Sequence, residues 1–108
     1  MNTTSTALQA LFSRIPRRHS LENVKEIYGI LDEYENLLIG IEATNSFYEK
    51  TIPEYFDELE EVRGIIKKSN DNKASKKLKD SLFDEGSGNL KDSIQKLMET
   101  YGDGTRSS

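Results

Sequence analysis

Apolar residues return every seven positions through the middle of this chain. Counted from Val24 they fall at Val24, Leu31, Leu38, Asn45, Ile52, Leu59 and Ile66; counted from Ile27 they fall at Ile27, Tyr34, Ile41, Tyr48, Tyr55 and Val62. These are the a and d positions of a heptad, and of the 13 only Asn45 is polar, in a chain whose hydrophobic share is 34%. The pattern predicts α-helix with a single apolar stripe, the seam of a coiled coil. Asn45 either pins the register of that seam or marks where it frays. Gly29, Gly40 and Gly64 fall at outer f and c positions, so none interrupts it.

Local chemistry competes with the continuity of the seam near Pro53. Thr51 followed by Glu54 has the form of a capping box, and Pro53 suits a first helical turn. Acids at Glu54, Asp57, Glu58, Glu60 and Glu61 and bases at Lys67 and Lys68 complement a helix dipole running from Thr51. The heptad phase nevertheless crosses Pro53 without a slip, and Pro53 lies at a b position, where a proline bends a helix outside its interface. Two readings stay open, a long helix kinked at Pro53, which the phase favours slightly, or a hairpin that reverses there. A continuous helix over 21–68 would span roughly 70 Å at 1.5 Å per residue and would need a partner along it. A reversed one would let its two halves pair.

The flanks carry shorter patterns. Leu8, Leu11, Phe12 and Ile15 have helical spacing after a polar lead and stop at Pro16. Ser20 is placed to cap the long helix, with Glu22 in its first turn. Ser69-Asn70-Asp71-Asn72 breaks the seam, and Lys73, Lys76, Lys77 and Lys79 then mark a solvated helix with a weak stripe at Leu78, Leu82 and Phe83. Gly86-Ser87-Gly88-Asn89 reads as a loop. Leu90, Ile94, Leu97, Met98 and Tyr101 follow as a docking helix with Gly102 as its C-cap, and a disordered tail ends the chain. The expected fold is all-α: a long heptad-patterned helix, kinked or reversed near Pro53, with short flanking helices, as a coiled coil or helical bundle. Its expected segments are 1–20, 21–68, 69–102 and 103–108.

Composition narrows the function classes. The 108 residues allow one domain, and with no cysteine a disulfide framework or thiolate metal site is excluded. The longest apolar run is three residues, too short for a membrane span or a signal-peptide core. The net charge of -4 argues against nucleic-acid binding. Residues 1–21 stand apart at +3, against -7 for the remainder (12 bases and 19 acids). The expected location is cytoplasmic, with the alternative that the Arg-bearing, acid-free residues 1–20 are a mitochondrial presequence rather than a docking helix.

Candidate chemistry is sparse. His19 is the only histidine, so no catalytic triad, Cys-His pair or histidine metal site can be assembled, and no glycine-rich phosphate loop follows a strand. Arg17-Arg18-His19-Ser20-Leu21 resembles a basophilic protein-kinase substrate, which makes Ser20 a candidate phosphorylation site as well as a cap. Glu54, Asp57, Glu58 and Glu61 share one helix face and would be the ligands of an all-helical, Mg²⁺-dependent phosphate hydrolase. Asp32, Glu33 and Glu35 provide no matching motif, and helix-dipole complementarity explains the same acids.

The leading expectation is therefore a non-enzymatic interaction protein with no cofactor and no bound metal. It would be a coiled-coil subunit or adaptor whose 13 seam residues pack against another chain or a second copy. The alternative is a self-contained helical bundle acting as a binding module or inhibitor.

Overall fold

The computed structural model describes residues 3–44 and 46–106, with side chains described from Thr4 to Thr100 apart from Asn45. Four helices follow one another: α1 (Thr3–Arg14), α2 (Leu21–Glu42), α3 (Ser46–Ser69) and α4 (Lys76–Arg106). They form an all-α four-helix bundle with a long axis of 50 Å.

Its topology is up-down-up-down. Arg63 on α3 reaches back to Asp32 and Glu35 on α2, Lys96 on α4 meets Glu58 on α3, and Arg14 at the end of α1 meets Glu26 and Glu33 on α2. Chain neighbours therefore run antiparallel. Arg17 meets Asp84, and Lys91 lies over the Phe12 ring 5.2 Å from its centroid, so α1 also closes on α4. The remaining diagonal, α2 with α4, is parallel: His19 packs edge-on against Phe83 near the start of both, and Tyr34 meets Ser93 further along.

The hairpin reverses between Glu42 and Ser46, several residues before Pro53. At that turn the Thr44 hydroxyl donates to the Ile41 carbonyl at 2.6 Å and the Thr44 N–H to the same oxygen at 3.0 Å, satisfying groups that the helix end leaves open. The connection is short enough that Ile41 and Tyr48 keep heptad register on either side of it, so unbroken phase carries no information about unbroken helix. A polar signal was present in Thr44-Asn45-Ser46, with Ser46 and Glu49 repeating the spacing of Thr51 and Glu54.

Thr51 and Pro53 both lie inside α3. The Thr51 hydroxyl donates to the Phe47 carbonyl at 2.8 Å, a bond to the preceding turn rather than an N-cap. Ser20 does cap α2: the Asn23 N–H donates to its Oγ at 3.0 Å, and its backbone is extended. Ser20→Ala is expected to lower stability by about 1 kcal/mol. Thr51→Ala, which installs a better helix former, should leave it unchanged or slightly higher. Denaturant midpoints of the two variants check both assignments.

The expected loop at Gly86-Ser87-Gly88-Asn89 is helical, within one α4 of 31 residues that also includes Gly102. Packing overrides propensity there. A Cβ at Gly86 would lie 2.7 Å from Ile66 Cδ1, so the glycine lets α4 approach α3 at a distance no larger residue permits without a shift. Counting sevens from Phe83 through Leu90 to Leu97 puts Gly86 and Ser93 at the small d positions of this helix. The helix runs on through 103–106, expected as disordered tail; residues 107–108 lie outside the described set.

Leu8, Leu11 and Ile15 are buried in the common core, so α1 lies along the side of the bundle as its fourth helix. No helix among the described residues is long and apolar enough to cross a membrane.

Candidate functional site

Twelve of the thirteen seam positions are buried inside this one chain: Val24, Ile27, Leu31, Tyr34, Leu38, Ile41, Tyr48, Ile52, Tyr55, Leu59, Val62 and Ile66. Asn45 lies outside the described residues. The two halves of the seam face each other, and α1 and α4 cover what remains with Leu8, Leu11, Ile15, Phe83, Leu90, Ile94 and Leu97. A partner meeting the folded bundle meets other residues.

One polar chain runs from the core to the surface. The Ser93 hydroxyl donates to Glu58 Oε1 at 2.8 Å. A hydroxyl has one proton, so in the 2.8 Å contact between Tyr34 and Ser93 it is the tyrosine that donates. Glu58 also holds Lys96 Nζ at 2.5 Å, and Lys96 lies 3.7 Å from Glu54 and 4.8 Å from the centroid of the Tyr55 ring. The hydrogen bond with Glu58 is the main reason that the Lys96 ammonium is held above its ordinary pKa. The chain thus ties α2, α3 and α4 together beside an open cleft lined by Glu58, Glu61, Asn89, Asp92, Ser93 and Lys96.

Burial pushes the Tyr34 phenol well above its ordinary value near 10, against a smaller lowering by its bond with Ser93. A folded pKa raised above the unfolded one leaves its contribution intact below about pH 10 and removes it as pH climbs through the folded value. Alkaline loss of stability should therefore be shallower in Tyr34→Phe than in the parent. Ser93→Ala strands the buried Tyr34 hydroxyl and is expected to cost about 1–3 kcal/mol. Tyr34→Phe, which leaves Ser93 bonded to Glu58, should cost less, and the double variant should resemble Tyr34→Phe. Equal, additive losses in unfolding experiments would contradict this chain of donors.

Two of the four carboxylates expected to share a metal, Glu54 and Glu58, are paired with a cation, while Asp57 and Glu61 take part in none of the salt bridges among the described residues. Lys96 draws in Glu54 and Glu58, while Arg63 engages Glu60 of the same helix together with Asp32 and Glu35 of α2. Among the described residues no group of three or more histidines or carboxylates is placed to hold a metal ion.

What stays outside is distributed by position. Among the described residues the large apolar side chains left exposed are Ile39 and Phe47, 52% and 57% exposed on either side of the α2–α3 turn, and Leu21 and Leu78, 76% and 49% exposed in the first turns of α2 and α4 at the opposite end. Neither pair belongs to the heptad. Ser20 is exposed beside Leu21, next to a cleft formed by Arg17, Arg18, His19, Lys76, Asp80 and Asp84. No protein family, curated protein or solved structure matches this chain.

Proposed function

We infer that this protein is a self-contained helical bundle acting as a protein-binding module, and that the α2–α3 turn is its contact end. The observation that carries this reading is the exposure of Ile39 and Phe47 in a chain whose heptad residues are occupied with one another. An apolar pair exposed at one end of a bundle gains from being covered by a partner. The flanking acids, Glu42 and Glu49, favour a partner that frames an apolar face with basic residues.

The phosphorylation reading of Ser20 is compatible with this function. Aspartate caps a helix as well as serine does, so Ser20→Asp would mimic the added charge without disturbing α2.

A labelled synthetic helix with a leucine face between lysines is the direct probe. Its anisotropy should rise on titration with the protein. Phe47→Asp should weaken that binding roughly tenfold, as expected for losing about half of an aromatic side chain's burial, while leaving helicity and the unfolding midpoint in place. Binding that is absent, or equal in the variant, would overturn the assignment. Helicity that persists on dilution below micromolar concentration separates this module from an obligate coiled-coil subunit, which would unfold as its partner dissociates.

A further inference from the structure

We propose that the partner of the α2–α3 turn is the opposite end of a second copy, so that the protein associates head to tail. This rests on the reading of that turn as a contact end and adds the identity of what it contacts. The two ends differ in charge. Residues 15–25 and 66–83, which form the end where α2 and α4 begin, hold 9 bases and 3 acids. Residues 36–54, the α2–α3 turn with the helical turns on either side of it, hold 1 base and 3 acids. Internal ion pairs do not remove this contrast: among the described residues, Arg18, Lys67, Lys68, Lys76, Lys77 and Lys79 at the first end, and Glu42 and Glu49 at the turn, take no part in the salt bridges of the chain.

Each end also carries exposed apolar residues, Leu21 and Leu78 on the basic one, Ile39 and Phe47 on the acidic one. The leucines and lysines of one copy thus have the chemistry required to cover the turn of the next. Two basic ends, or two acidic ones, repel. The contact is consequently heterologous, between unlike patches, and it leaves one free end of each kind on every dimer.

Sedimentation velocity on the full chain tests this. The parent should associate reversibly at low ionic strength, forming dimers and longer species as concentration rises, and should dissociate in molar salt. Phe47→Asp blocks the acidic end. Lys77→Glu with Leu78→Asp blocks the basic end. Both sets of changes place acids in the first turn of a helix, where they are tolerated, and circular dichroism of each variant should match that of the parent. Each variant alone should sediment as a monomer, while an equimolar mixture should form one-to-one dimers and nothing larger.

A parent that stays monomeric at every salt concentration, a single variant that still associates, or a mixture that stays monomeric overturns head-to-tail assembly. If the leucine–lysine helix still binds the parent and not Phe47→Asp, the binding module stands and only self-association falls. If that helix does not bind either, both fall.

Discussion

Phe83→Ala is expected to lower the free energy of unfolding by about 3–5 kcal/mol, a large share of the roughly 5–15 kcal/mol that keeps a domain folded. Phe83 is fully buried, with the His19 ring edge-on 5.9 Å from its own, so the same ring secures the first half of α4 and the link between α1 and α2. Truncation leaves a cavity among helices whose backbones are fixed by contacts elsewhere. Leu78→Ala, close by on the same helix but 49% exposed, should change stability by no more than about 0.5 kcal/mol. Urea unfolding at constant slope measures both. A small loss for Phe83→Ala would mean that the first turns of α4 do not dock.

The glycines should show the second large effect, in the opposite direction. A Cβ added at Gly29, Gly64 or Gly88 meets nothing within 4 Å. Each substitution to alanine removes a helix penalty of about 0.5–1 kcal/mol, and the three sites are separate enough to add. The triple variant is therefore expected to gain about 2 kcal/mol and to melt roughly 10 °C higher in a thermal scan. Gly86 should behave differently. There the new Cβ would press on Ile66 Cδ1 and Ile65 Cγ2, so alanine gains propensity and loses packing and comes out near neutral. Valine must push α3 from α4 and should lose about 1–3 kcal/mol. Equal gains for alanine at Gly86 and Gly88 would contradict close approach of the two helices.

Helical class, the apolar faces and the end of α3 were legible in the residues, because burial and helical period leave a direct mark on spacing. The cap at Ser20 was legible for the same local reason. The reversal was harder to place. Ile41 and Tyr48 keep their register across a turn that happens to fit the repeat, and Thr51 with Glu54 has the form of a cap inside what is continuous helix. Gly86 and Gly88 read as punctuation because glycine is a poor helix former; at Gly86 the compensating contact lies on another helix, at Ile65 and Ile66, while Gly88 is carried by the helix around it. The acidic face of α3 looked available to a metal because its cation, Lys96, lies 38 positions after Glu58.

By itself, then, the sequence determined that this chain is helical, which apolar residues of the heptad seam face inward, and that such a seam needs another apolar surface. Period and polarity are properties of a segment and survive whatever the segment packs against. Only the tertiary structure decided that the seam is closed by the chain's own helices and which apolar residues stay exposed at either end. It also decided that Tyr34, Ser93, Glu58 and Lys96 form a single chain of contacts. Those outcomes depend on where the chain reverses and how closely its helices approach, which are settled by contacts between residues far apart in sequence.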